Sequence, residues 1–284
     1  MRKSTTLTTS LAAAGVLGLV LTGCGTASDP DSGGSDADSS KPLTVAASPT
    51  PHADILNFVK KDLAEEAGLD LKVREFSDYV LPNNATESGE VDANFFQHKP
   101  YLDDFNEKKG TNIVPVVNVE LEPLGLYSDK AESVKELKSG QTVALPNDAT
   151  NEGRALHLLD EHGLIELKKG AGQDATLGDI ADRKGLKFKE MEAPSVPRAL
   201  SDVDAAVING NYALEADLNP KEDALAAEEA EDNPYSNFLA VKKGNEDDPR
   251  VKKLAKLLNS DEVKQFIEKK YKGAIVPAFG SVSS

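Results

Sequence analysis

From residue 43 onward, short apolar and β-branched runs alternate with stretches whose apolar residues recur at helical spacing. Residues 43–47 read as a strand. Thr50 then caps a helix that has Pro51 at its first position, where the missing N–H removes no bond. Ile55, Leu56, Val59 and Leu63 share one face of it. The pattern predicts further strands over 69–73, 91–96, 113–119, 142–145, 186–191 and 203–208. It predicts helices over 151–162, with Ala155, Leu156 and Leu159 on one face, and over 195–201. Asp248-Pro249 opens a helix with Val251, Leu254, Leu257 and Leu258 inward, and Val263, Phe266 and Ile267 mark another. Strands alternating with helices predict parallel sheets in an α/β fold. One sheet of this length would be large, so two lobes sharing a ligand crevice fit better.

Before residue 43 the pattern is different. Arg2 and Lys3 precede an apolar run over 11–21, closed by Leu21-Thr22-Gly23-Cys24. That order reads as a secretory signal peptide. The run is too short to span a membrane, which takes about 20 apolar residues. Cys24, the chain's one cysteine, stands at the expected cut. The site resembles the bacterial lipobox, which implies a diacylated cysteine as first mature residue and a membrane anchor, each buried methylene contributing about 0.8 kcal/mol. Residues 1–23 are therefore expected to be the signal peptide. Residues 24–42 are expected to be the lipidated cysteine and a flexible tether of Gly, Ser, Asp and Pro.

Composition narrows the function classes. Across 284 residues, Asp and Glu number 48 against 32 Lys and Arg, a formal charge of −16. Such a chain repels phosphate backbones, so no nucleic-acid partner is expected. One cysteine makes neither an internal disulfide nor a thiolate metal cluster. The chain carries no nucleophile elbow, phosphate loop, dinucleotide fingerprint or His-Glu-x-x-His motif, so catalysis, cofactor and metal are not expected. Acidic pairs are frequent and none stands out as a catalytic dyad. The stretch 215–232 holds eight carboxylates and one lysine, and reads as a solvated face without chemistry.

Binding residues are more visible. Aromatic residues make up only 5% of the chain, yet they gather in Phe76-Ser-Asp-Tyr79 and Phe95-Phe96-Gln97-His98-Lys-Pro-Tyr101. Phe96 at a strand end, with His98 and Tyr101 at a helix start, fall where an α/β site forms. Such rings suit a flexible apolar or thioether side chain, although each ring alone also suits a core and His98 a structural role. Asn151 and Arg154 follow a strand and open a helix, where free N–H groups and a planar guanidinium attract a carboxylate. Asn209 and Asn237 lie beside strands, and their carbonyl oxygens can accept from an ammonium group. Asn211 competes with Asn209 for that role, and turn capping is the plainer alternative for both.

Taken together, Pro51-His-Ala-Asp-Ile-Leu56, Asp78-Tyr-Val with Pro82-Asn83, Asp92-Ala-Asn-Phe-Phe-Gln-His98, Pro146-Asn-Asp through Arg154, Asp202-Val-Asp204 with Asn209, Tyr235-Ser-Asn237, and Tyr271-Lys-Gly-Ala with Val276-Pro-Ala-Phe279 resemble the NlpA lipoprotein family, the methionine-binding lipoproteins of ABC importers. The resemblance runs from about residue 43 to 279. It implies a two-lobed periplasmic-binding-protein fold of type II-like design, with the ligand in the interlobe crevice. The lobes would be 43–120 plus 236–284, and 121–235. It further implies that Tyr79, Phe96, His98 and Tyr101 enclose the ligand side chain. Arg154 with Asn151 would hold the α-carboxylate, and Asn209 and Asn237 would contact the ammonium and carboxylate. The implied partners are methionine, most simply the L form, and a membrane permease with its ATPase. D-methionine, a methionyl dipeptide or another small amino acid are alternatives within the resemblance. From other classes come an extracytoplasmic hydrolase and a surface interaction protein. Thr86 departs from the family pattern, which usually has leucine there.

Overall fold

In the computed structural model, which describes residues 41–231 and 233–282, the chain builds one sheet, crosses to build a second, and returns to finish the first. The signal peptide, Cys24 and nearly all of the tether lie outside the described residues. The first pass comprises β1 (Leu43–Ala47), α1 (Asp54–Asp62), β2 (Leu71–Glu75), α2 (Leu81–Ser88), β3 (Ala93–His98), α3 (Lys99–Lys109) and β4 (Ile113–Leu121). The second lobe holds β5 (Gly125–Tyr127), β6 (Thr142–Pro146), α4 (Ala149–Glu161), β7 (Glu166–Leu167), β8 (Ile180–Asp182), β9 (Lys187–Met191), β10 (Ala205–Ile208), α5 (Gly210–Glu215) and β11 (Ala226–Ala227). The chain then returns through β12 (Asn237–Lys242), α6 (Pro249–Leu258), α7 (Asp261–Tyr271) and β13 (Val276–Gly280).

The first sheet has the order β13-β4-β12-β3-β1-β2 and the second β11-β5-β10-β6-β9, while β7 and β8 form a separate ribbon. Parallel pairing, expected throughout, holds for β1 with β2 and β3 and for β6 with β9 and β10. It fails where the chain changes lobes. β12 runs antiparallel to both β3 and β4, and β5 runs antiparallel to β10, because these strands enter their sheets from the opposite end. Alternating apolar runs reveal a strand but not its direction.

The periodic residues do what their spacing predicts. Ile55, Leu56 and Val59 of α1 pack with Val251, Leu254, Val263 and Ile267 of α6 and α7 against the first sheet. Leu156 and Leu159 of α4 pack on Leu126, Val143, Leu145 and Val207 of the second. Local details differ. Thr50 does not cap α1: a wide turn over Pro49–Ala53 intervenes, with Thr50 in extended backbone and its hydroxyl donating to Asp54 at 2.8 Å. The helix expected over 195–201 is two single 3₁₀ turns, Ala193–Ser195 and Pro197–Ala199, each opened by proline. The Thr86 departure has a partner, since its hydroxyl accepts from buried Asn94 at 2.8 Å within an amide network that includes Asn83 and Gln97.

Gly153 fixes how α4 seats. A Cβ there would lie 2.1 Å from the Gln173 carbonyl oxygen. Gly153→Ala should therefore lose about 1–3 kcal/mol through overpacking, although helix propensity alone favours alanine by about 1 kcal/mol. Urea unfolding of the variant checks this, and a more stable Gly153→Ala protein would contradict the packing argument.

Candidate functional site

Two chain crossings frame the site. The first follows β4 through Glu122-Pro123-Leu124, and the second leaves β11 at Glu228 and reaches β12 by Asn237. They are tied together, since Glu228 N donates to Leu124 O and Leu124 N donates to the Glu228 carboxylate, both at 3.0 Å. Beside them lies a cavity lined by Tyr79, Phe96, Gln97, His98, Tyr101, Glu122, Asn151, Arg154, Asn209 and Asn237. All eight ligand-site residues expected from the sequence thus line one cavity. Glu122 and Gln97 were not expected there.

One wall is aromatic. Tyr79 lies 6.0 Å from Phe96, 5.7 Å from Tyr101 and 5.0 Å from Tyr212 between ring centroids. Tyr101 donates its hydroxyl to the Tyr79 carbonyl at 3.0 Å, and Tyr79 donates to Asn211 Oδ1 at 2.5 Å. Asn211 is therefore a support for Tyr79, and Asn209 is the amide that reaches the cavity. Phe96 and Tyr101 are buried, and Tyr79 packs against them half-buried.

His98 is committed to the protein at both nitrogens. Its Nδ1 accepts from Tyr101 N at 3.3 Å, capping α3, and its Nε2 faces Asn151 Oδ1 at 3.3 Å. Those partners define the neutral Nε2–H tautomer. Burial, and then the Arg154 charge, push its pKa down to about 3, so the ring stays neutral. Asn151 Oδ1 also accepts from Asn209 Nδ2 at 2.9 Å, while Asn151 Nδ2 donates to Asp148 at 2.8 Å. Asn151 therefore links its neighbours, with both ends of its amide already in use.

Arg154 lies two residues further along its helix than expected, because α4 begins at Ala149 with Asp148 as its cap. Its Nε and Nη2 donate to Glu228 at 2.6 and 2.5 Å, and Nη2 also donates to Glu122 O at 2.8 Å. The guanidinium stacks on Tyr235, 4.3 Å from the ring centroid. Burial alone would lower its pKa, but Glu228 holds it above the ordinary value. This corrects two expectations. The stretch 215–232 is not merely a solvated face, since Glu228 supplies the partner of the buried cation. And one edge of the Arg154 fork is already occupied, leaving Nη1 as the guanidinium nitrogen without a hydrogen bond among the described residues.

Behind Glu122 stand two more buried ionisable groups. His52 Nε2 lies 3.3 Å from Glu120 Oε1 and 3.2 Å from Glu122 Oε1, yet neither contact has hydrogen-bond geometry. Asn237 Nδ2 approaches the same His52 nitrogen at 3.2 Å. Burial raises the Glu120 carboxyl to about 8, and burial together with the Glu120 charge raises Glu122 to about 8. Burial lowers His52. Among the described residues this is the one histidine–carboxylate group tight enough to hold a cation. A metal-bound imidazole almost always donates its other nitrogen to an orienting acceptor, and His52 Nδ1 has none. The set fits shared protons better than a metal.

Comparisons with known proteins give the chain's relatives. The model of the NlpA lipoprotein family matches residues 43–279. The methionine-binding lipoprotein MetQ of Bacillus subtilis is 42% identical over 263 residues, which is 91% of this chain and 93% of the relative. The D-methionine-binding lipoprotein MetQ of Escherichia coli is 43% identical over 227 residues, 79% of this chain and 82% of the relative. A nutrient binding protein from Burkholderia cenocepacia, solved bound to methionine, superposes with a TM-score of 0.81 at 48% identity, covering 84% of this chain and 100% of that one. An ABC transporter periplasmic substrate-binding protein from Coxiella burnetii gives 0.80 at 40% identity, covering 83% and 100%.

Proposed function

The chain belongs to the NlpA lipoprotein family, and on that premise we propose that it captures one free amino acid, methionine, and passes it unaltered to an ABC importer. The observation that carries the reading is the cavity's division into a ring-lined end and an end of unpartnered oxygens. Asn209 Oδ1, Asn237 Oδ1 and Glu122 Oε1 are buried without hydrogen-bond partners among the described residues. Three acceptors suit the three donors of an ammonium group. Arg154 Nη1 is then the donor for the α-carboxylate, a charge-assisted contact. Because Glu228 already balances the Arg154 charge, a zwitterion enters without leaving a net charge behind. At the other end, Tyr79, Phe96 and Tyr101 enclose the side chain, and sulfur–aromatic contacts add about 0.3–1.5 kcal/mol each.

The lobes divide at 43–120 plus 236–284, and 121–235, a division supported by the membership of the two sheets. Among the described residues no helix is long and apolar enough to cross a membrane. The anchor we assign is the lipid on Cys24, which keeps the protein at the outer membrane face beside the permease and its ATPase. The test is a thermal-shift screen against the free amino acids. A ligand at 100 times its dissociation constant stabilises by about 2.7 kcal/mol, and methionine should give the largest shift. Equal shifts across many amino acids would defeat the specificity, and turnover of an ester or amide would favour a hydrolase.

A further inference from the structure

The His52–Glu120–Glu122 cluster takes no part in enclosing a side chain, and only Glu122 and the neighbouring Asn237 reach the cavity. Three electron-rich atoms converge there: His52 Nε2 and one oxygen from each carboxylate, within 3.2–3.3 Å of the ring nitrogen. His52 and Glu120 are 0% exposed, and neither Glu120 oxygen has a well-aligned hydrogen bond among the described residues, the Asn237 amide being the one donor beside it. Lone pairs packed so closely repel unless a positive charge lies among them. The nearest fixed cation, Arg154, is taken by Glu228. A proton is what remains. Asn237 ties the cluster to the cavity, since in the strand ladder it stands opposite Glu120 on one side and His98 on the other.

We propose that Glu120 and His52 are positioning residues which hold a proton against Glu122 until the ligand's ammonium replaces it, so that each amino acid captured expels one proton. This rests on the amino-acid reading given above. In the step, the O–H bond of the Glu122 carboxyl breaks, its electron pair stays on the carboxylate, and the proton passes to solvent. The ammonium then donates to that carboxylate. The ammonium takes the proton's place, so the His52–Glu120–Glu122 end carries the same charge before and after, and the negative charge gained by the site lies with the α-carboxylate at the Arg154–Glu228 end.

The surroundings agree. Glu122 is faced by Glu120 from β4, His52 from the turn before α1, and Arg154 from α4. Tyr79, Tyr212 of α5 and Tyr271 of α7 also lie within electrostatic reach of the pair, but burial keeps their hydroxyls protonated. Asn211 N donates to Glu122 Oε2 at 2.9 Å, holding that oxygen in place while Oε1 faces His52. The elevated affinity of both carboxyls for protons, to about 8, places the exchange in the neutral range.

Calorimetric titration of the purified protein with L-methionine at pH 7, in buffers of different ionisation enthalpy, counts the protons. About one should leave per ligand bound, and the affinity should rise by up to tenfold per pH unit between pH 6 and 7.5. In Glu120→Gln the carboxylate repulsion is gone, so the rise should shift to lower pH while methionine still binds. Glu122→Gln should bind more weakly and without the pH dependence. A merely structural Glu120 would alter stability and leave the pH profile in place. Methionine binding with no proton release in the unaltered protein overturns this inference alone. No methionine binding at any pH overturns the amino-acid reading with it.

Discussion

Arg154→Ala is expected to lose about 1–3 kcal/mol of folding stability, because the partly exposed Glu228 carboxylate loses its charge partner and keeps only the Leu124 N–H and the Asn233 amide as donors. The same change should cost one to two decades of methionine affinity, the worth of a charge-assisted contact of about 1.5–3 kcal/mol. The two losses have different origins and separate experimentally. Glu228→Gln removes the stranded charge, so the double variant should recover part of the stability lost in Arg154→Ala. It should recover none of the affinity, since Nη1 is still gone. Urea unfolding of the four proteins forms a double-mutant cycle. Strictly additive stability losses would show that the pair does not act as a pair, despite its 2.5–2.6 Å contacts.

The second large effect is on stability against pH. Without ligand, the protein should lose about 2 kcal/mol between pH 6.5 and 8. The folded Glu120–Glu122 pair keeps a shared proton up to about 8, whereas in the unfolded chain both carboxyls ionise near 4.5. Raising the pH through that interval therefore favours the unfolded state, at about 1.4 kcal/mol per pH unit for one retained proton. His52 has the opposite tendency. Its folded form resists protonation, so below pH 6.5 its contribution offsets that of a retained carboxyl proton, and the rise in stability with falling pH levels off there. Urea midpoints across pH 6.5–8.5 test the slope, and Glu122→Gln should remove much of it. A level profile in the unaltered protein would mean that these carboxyls ionise in the ordinary range.

What the sequence disclosed follows from the range of the interactions involved. The faces of α1, α4, α6 and α7 are periodic, and periodicity is local, so Leu156 and Leu254 announce their burial from their neighbours alone. The aromatic wall was also legible, because Phe96, His98 and Tyr101 lie within six positions around one strand end. Glu228 was not. It sits 74 residues from Arg154 inside a run of carboxylates, and no local signal distinguishes the one that turns inward. Glu120 and Glu122 were hidden in a different way. They follow an apolar strand at alternate positions, a spacing that normally puts charges in water. Only the crossing after β4, with His52 brought in from β1's end, turns that face toward the interior.

The strand order also governs how the molecule is assembled as it emerges from its N-terminus. Every strand of the second sheet lies within residues 125–227, whereas β12, at residues 237–242, sits between β3 and β4 in the first. Until that late segment appears, β4 has no neighbour to join it to β1, β2 and β3. The lobe begun second is therefore completed first, and the opening eighty residues of the folded part wait with their strand edges unpaired. A chain emerging from its N-terminus thus carries an unpaired, aggregation-exposed third of its folded part in the lead.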